Sequence, residues 1–419
     1  MTAYVSPGLV KAGIFHLGKA GLFGQSDQAA FASATFLGLF IGTVAFARIA
    51  DRFGRRAIFT LSLIWYAMAT LAMATCHTAL ALDAWRLVSG IGIGIELVTI
   101  DSYVSELAPA RLRGRAFAVN QAIQFIAVPA VAVAAWLLLP RTPLGVAGWR
   151  WVMVIGAAGA VAVWAIRSRL PESPRWLERQ GRMAEAESIV CDLEAGRLPR
   201  PARTRAPPTV PRASPAAVGQ LSEIFAPPYR RRTIMLIVFN IFQAIGFYGF
   251  GNWAPTLIAA QGHSVTHSLA YASAIALAYP LGPLVCVAIA DRFERKHLII
   301  AAALTTAVVG IAFSGQAAAE AIVGLGVILV ISNNLLSFAY HAYQAELYPT
   351  PIRARAVGFV YGWSRLSTVF SSFIIAALLS GFGSIGVFAF IASAMVVVVL
   401  AVGLFGPRTA GLSLEEAAG

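Results

Sequence analysis

Charge is scarce in this chain of 419 residues: 12% is Asp, Glu, Lys or Arg, against 58% that is apolar. A water-soluble protein of this length needs more charged surface, so a mean hydropathy of +0.73 excludes an ordinary soluble fold. Cysteine is nearly absent as well. Cys76, Cys191 and Cys286 are far apart in sequence, which excludes a disulfide framework and argues against a zinc site. No nucleophile–base pair and no metal-ligand cluster stands at a useful spacing, so neither an enzyme nor a bound cofactor or metal is expected. A cleaved signal peptide with a small-residue processing site is missing too. Acids are the scarcer charge, 19 against 32 Lys and Arg, for a net charge of +13.

Long apolar runs are what the chain has instead. A bilayer core roughly 30 Å thick needs about 20 apolar residues per helix. Eleven segments meet that need, at 27–49, 57–77, 83–105, 116–139, 149–166, 233–258, 267–290, 297–315, 321–343, 355–379 and 384–405. A twelfth, 2–15, is short. If the loop between 27–49 and 57–77 is cytoplasmic and sides alternate from there, 26 of the 32 Lys and Arg fall on the cytoplasmic side. The other six are Lys11, Lys19, Arg86, Arg141, Arg150 and Arg365. This asymmetry predicts a multi-pass protein of the plasma or inner membrane with a cytoplasmic C-terminus. The positive charge therefore reports orientation in a lipid bilayer and not a nucleic-acid surface.

The chain also repeats itself. Ile49-Ala-Asp-Arg-Phe-Gly-Arg55 matches Ile289-Ala-Asp-Arg-Phe-Glu-Arg295, and Tyr103, Glu106, Leu107, Pro109, Arg113, Arg115 and Ala116 match Tyr343, Glu346, Leu347, Pro349, Arg353, Arg355 and Ala356, all at an offset of 240. Two matches at one offset indicate a duplication with both copies in the same orientation, and parallel repeats place a substrate site between halves near the midplane. The expected organisation is an N-terminal six-helix half (1–166), a cytoplasmic linker (167–232), a C-terminal six-helix half (233–406) and a cytoplasmic tail (407–419). In the linker, Ala186, Ile189, Val190 and Leu193 recur at helical spacing. Residues 199–217, rich in Pro and Arg, read as disordered. The offset aligns 233–258 with about −7 to 18, so the first helix is expected to begin upstream of Met1.

Asp51-Arg-Phe-Gly-Arg-Arg56, a tight turn between helices at Gly54, resembles the signature loop of the major facilitator superfamily, and so do Arg86-Leu-Val-Ser-Gly-Ile-Gly-Ile-Gly94, Glu106-x-x-Pro109 and Arg113-Gly114. Pro171-Glu-Ser-Pro-Arg-Trp-Leu177 is similar to a motif of the sugar porters, the organic-ion transporters and a group of bacterial metabolite–proton symporters. The resemblance implies an all-α membrane protein with the twelve-helix major facilitator fold, working as a monomer by alternating access. It also implies a cytoplasmic latch of Asp51, Arg55, Glu106, Arg113, Glu172 and Arg175, with Asp291, Arg295, Glu346 and Arg353 in the second copy. Four residues depart from the pattern: Ala410 where the tail should carry a base, Ala47 in the first loop, Glu294 where the second copy should have its turn glycine, and Arg408 where the tail should carry an acid. The last two predict a weaker second latch. Gly90 and Gly94 form a small-xxx-small face for close helix packing and not a dinucleotide fingerprint.

Charges at membrane depth cost about 2.5–3.5 kcal/mol on insertion scales, and each needs a reason. Glu96, near the middle of its segment, and Asp101 are the candidates for carrying a coupling proton; the alternative is a static pair with an arginine. Arg365, the one charge away from the ends of its segment, is the candidate counter-ion for an anionic substrate. Gln121, Gln124, Gln243, Tyr248, Asn252, Trp253, Asn333 and Asn334 could complete an otherwise apolar site, or could bond one helix to another. His341 is expected near the latch. The run Phe242-Gln-Ala-Ile-Gly-Phe-Tyr-Gly-Phe-Gly-Asn-Trp253 has one glutamine where sugar porters have a pair. Together with Arg365 it favours proton-coupled uptake of a small organic anion, such as an aromatic or other carboxylic acid. A sugar or polyol porter is the alternative, followed by drug efflux and by a non-transporting membrane sensor.

Overall fold

The computed structural model describes residues 2–15, 26–53, 55–107, 113–167, 170–195, 221–290 and 293–409. Its long elements are helices. The first six are α1 (Thr2–Lys11), α2 (Ser26–Phe53), α3 (Arg55–Thr75), α4 (Ala79–Leu107), α5 (Arg113–Leu138) and α6 (Gly148–Arg167). Two short helices follow, α7 (Pro174–Arg179) and α8 (Met183–Glu194). The rest are α9 (Arg230–Gly251), α10 (Ala254–Ala260), α11 (Val265–Ala276), α12 (Ala278–Ala290), α13 (Arg295–Ser314), α14 (Ala319–Glu346) and α15 (Thr350–Phe405).

Among the described residues, nine helical stretches are long and apolar enough to cross a membrane. Arg355–Phe405 is one of them, and its 51 residues hold two crossings. They meet at Gly383, whose φ of 66° is open to glycine and strained for other residues. The chain is a multi-pass membrane protein: ten of the eleven expected full-length crossings fall on these stretches, and the eleventh, 83–105, lies in α4. Proline explains the two places where one expected segment becomes two helices. Pro255 starts α10 just past Gly251-Asn252-Trp253, so the seventh segment breaks there. Tyr279-Pro280 and Pro283 follow the break at Leu277 between α11 and α12.

Contacts group the chain into two compact units, one of residues 1–33, 118–152 and 218–419, the other of 34–117 and 153–217. In the second unit, α2 and α4 approach at van der Waals contact of their main chains. A Cβ on Gly90 would fall 2.5 Å from the Thr35 carbonyl oxygen, and one on Gly38, Gly42 or Gly94 would strike the carbonyl oxygen of Leu87, Ile91 or Leu39. The small-residue face expected at Gly90 and Gly94 is thus a packing face, matched by Gly38 and Gly42 across the contact. The linker helix α8 buries Ala186 and Ile189 against Leu177 of α7, while Val190 is exposed. The side chain of Leu193 and all of 199–217 lie outside the described residues.

In the first unit, α9 packs along α15. The Ser367 hydroxyl donates to the Ile241 carbonyl at 2.6 Å, and Ser33 of α2 donates to the Val369 carbonyl at 2.8 Å. Gln28 of α2 bonds Thr256 of α10 at 3.1 Å, so the start of the chain is tied to the second sequence copy.

Candidate functional site

Arg365 is buried in α15, with 6% of its surface exposed. Its guanidinium donates one hydrogen bond to the phenol of Tyr248 on α9 and another to the phenol of Tyr361, one turn earlier on α15. It also lies over both rings, 4.7 Å from the centroid of Tyr361 and 5.6 Å from that of Tyr248. Tyr340 of α14 stacks on Phe239 at 5.2 Å and on Tyr361 at 6.3 Å, extending the aromatic wall. Among the described residues no carboxylate pairs with Arg365. A desolvated cation held by neutral phenols keeps an uncompensated charge, which is the electrostatic requirement for binding an anion.

Of the candidates the sequence singled out, the structure brings Arg365 and Tyr248 together; Tyr340 and Tyr361 were not singled out, because an aromatic in an apolar segment is indistinguishable from lipid-facing or core packing. His341 is corrected. It was expected near the latch, yet its ring lies 5.3 Å from that of Tyr361 and 4.2 Å from that of Tyr340, beside the Arg365 cluster.

The other candidate polar groups divide. Asn334 donates to the Tyr279 carbonyl at 3.4 Å, an oxygen whose helical donor would be the N–H that Pro283 lacks. Gly282 leaves room for that amide. Asn333 accepts from Thr306 at 3.5 Å, beside Ser332, which bonds the Ala302 carbonyl at 2.8 Å. Both asparagines therefore join helices, the alternative left open for them. Gln243 and Trp253 are buried, Asn252 caps α9 and is half-buried, Gln124 is half-buried and Gln121 is exposed.

Glu96 is not alone in α4. Arg167, the last residue of α6, bonds it at 2.6 Å, and both side chains are partly exposed. That is the static pairing the sequence allowed. Asp291 lies outside the described residues, as do the Gly54 turn and the side chains of Asp51, Arg55, Asp101, Glu106, Arg113, Arg175 and Arg353.

The described latch residues form two similar clasps. In the first copy, the Tyr103 hydroxyl donates to the Pro171 carbonyl at 2.8 Å, and Glu172 accepts from the main-chain N–H of Arg56 at 3.1 Å and of Ser173 at 3.0 Å. A carboxylate at the N-terminus of α3 suits the unpaired amides there. In the second copy, Tyr343 donates to the Pro407 carbonyl at 2.8 Å. Pro407-Arg408-Thr409 thus takes the place of Pro171-Glu172-Ser173. The acid has changed sides: Glu294, standing where the first copy has Gly54, accepts from the Thr409 N–H at 3.0 Å. Arg295 pairs with Glu346 at 2.9 Å, and Lys296 donates to the carbonyls of Gly403 and Gly406 at 2.9 and 2.8 Å. In the second copy Glu294 thus supplies to the tail the carboxylate that Arg408 cannot. A hydrogen bond to a charged group contributes about 1.5–3 kcal/mol. Glu294→Gly should thus speed amide exchange over 403–409 by roughly tenfold or more, measured by hydrogen-exchange mass spectrometry. Unchanged exchange would show that the bond does not hold the tail.

A bundle of membrane-crossing helices from two related sequence copies, with a buried cation that no described carboxylate neutralises, is the build of a secondary transporter. The chain belongs to the sugar (and other) transporter family of the major facilitator superfamily, whose match covers residues 15–418. The putative metabolite transport protein YyaJ of Bacillus subtilis is 32% identical over 383 residues, 90% of this chain and 83% of that one. The niacin transporter NiaP of Acinetobacter baylyi is 27% identical over 390 residues, 92% of this chain and 86% of its own. In fold, the chain is similar to the xylose transporter XylE from E. coli in a partially occluded inward-open conformation. The TM-score is 0.77 at 20% identity, over 98% of this chain and 95% of that one. The relatives are transporters and not enzymes, and this chain carries a small molecule across a membrane.

Proposed function

We propose that the protein takes up a small organic anion, with a carboxylate as its charged group, together with a proton by alternating access. The observation that carries this reading is the buried Arg365 guanidinium, held by Tyr248 and Tyr361 and paired with no described acid. The flat, aromatic-walled surroundings suit a planar acid, and the likeness to a niacin transporter agrees with one. The six-helix halves 1–166 and 233–406 would move about the site, with the arginine-rich loops and the tail on the cytoplasmic side. The Glu172, Glu294 and Arg295–Glu346 contacts would be made and broken between the two access states.

A sugar or polyol porter is the second reading, favoured by the motif at Pro171–Leu177 and by the likeness to XylE. A thermal-shift screen of the purified protein against nicotinate, benzoate, D-xylose and D-glucose separates the two. A ligand at a hundred times its Kd stabilises by about 2.7 kcal/mol, so a shift of several degrees is expected with the carboxylates and none with the sugars. Stabilisation by the sugars alone would replace the anion reading with the sugar one.

A further inference from the structure

We propose that His341 is the proton-binding residue of the Arg365 site, taking up one proton when an anion binds and releasing it when the anion leaves. This rests on the reading of Arg365 as the anion's partner.

The argument begins with the tautomer. His341 Nδ1 lies 2.6 Å from the Ser337 carbonyl oxygen, one turn earlier on α14. A carbonyl only accepts, so Nδ1 carries the hydrogen and the lone pair of the neutral ring is on Nε2. Nε2 has one neighbour, the Tyr340 hydroxyl, at the long distance of 3.4 Å. His341 is an exposed residue of α14.

The surroundings then set the charge. The groups facing the ring are Tyr340 on its own helix and Tyr361 on α15. Behind Tyr361 stand Arg365 and, across the guanidinium, Tyr248 of α9. Arg365 is the one charged group among them. In the empty site its positive charge disfavours a second cation on His341. A carboxylate on Arg365 cancels that charge, and the imidazolium becomes favourable. The site then holds arginine, imidazolium and carboxylate, with the same net charge as the empty site. What crosses the membrane is the anion and a proton, a neutral pair. Of the two acids that the sequence offered for this task, Glu96 is bound to Arg167 at 2.6 Å and the side chain of Asp101 lies outside the described residues.

Calorimetric titration of the full-length protein with benzoate, at pH 6 and again at pH 8 in two buffers of different ionisation enthalpy, counts the protons bound. At pH 6 the wild type should take up most of a proton per benzoate, falling toward none by about pH 8, where an imidazole is neutral even beside a neutralised arginine. H341Q and H341N should bind benzoate with less than a tenfold loss in affinity and take up essentially no proton. Wild-type binding without proton uptake would overturn the proposal and leave the anion site standing. So would full uptake by both variants, or its loss in E96Q. Absence of benzoate binding by the wild type would overturn both the proposal and the anion reading beneath it. Should neither histidine variant fold, the wild-type pH dependence decides: uptake undiminished at pH 8 cannot come from an imidazole beside a neutralised arginine, and the proposal fails.

Discussion

Arg365→Ala is expected to abolish measurable carboxylate binding, and Arg365→Lys to weaken it by roughly a hundredfold or more, with both variants still folding and inserting. Arg365 is ten residues past Arg355 in one helix, which at 1.5 Å per residue is about 15 Å along its axis. That depth is near the middle of a bilayer core, too far for the side chain to snorkel to a polar interface. The guanidinium must therefore be satisfied by protein or ligand. Two phenols satisfy it in the structure and leave its charge uncompensated. Removing one partner of a buried ion pair costs about 3–5 kcal/mol, at least two orders of magnitude in affinity. Lysine keeps the charge but presents a point rather than a planar fork, and it cannot hold Tyr248 and Tyr361 while meeting a carboxylate face-on. The measurement is binding to purified variants, with thermal stability in the absence of ligand alongside. An arginine that serves only the fold would destabilise the empty protein when replaced and leave the affinity of the folded fraction intact.

The second large effect concerns the fold. Gly42→Val and Gly94→Val should each lower the yield of monodisperse protein at least about fivefold, whereas Gly159→Val should leave it unchanged. At Gly42 and Gly94 an added Cβ would meet the carbonyl oxygens of Ile91 and Leu39, which are helix main chain and have no rotamer to change. Only separation of α2 from α4 makes room. Overpacking costs about 1–3 kcal/mol where side chains can move, and more where they cannot. Separation also forfeits the close contacts that stand in for the hydrophobic effect inside a bilayer. Gly159 of α6 has nothing within 4 Å of its Cβ position, so it controls for helix propensity and bulk. Wild-type yield from the Gly42 variant would mean that the two helices tolerate a wider spacing than the structure gives them.

The latch shows how far a repeat can be read. The offset of 240 paired Tyr103 with Tyr343, and both phenols bond a proline carbonyl at 2.8 Å. The same comparison read Glu294 and Arg408 as two separate losses. They compensate one another, because a carboxylate on either side of the clasp can accept a main-chain N–H from the other. Residue-by-residue matching sees two substitutions and cannot see that their backbones meet.

By itself the sequence determined the solvent, the fold class, nearly every membrane crossing and the presence of two related copies. These follow from composition, run length and repetition, which are local properties set by the need to satisfy each backbone group within a helix in lipid. It also singled out Arg365, because one charge in a long apolar run is costly enough to notice. Tertiary structure alone decided what surrounds that charge. Tyr340, Tyr361 and His341 converge on it from α14 and α15, Glu96 finds Arg167 from α6, and Asn334 supplies the donor that Pro283 withholds from Tyr279. Each of these depends on which face of one helix meets which face of another. At membrane depth the helix surface is apolar all round, so hydrophobic periodicity, the usual guide to facing, carries little information there.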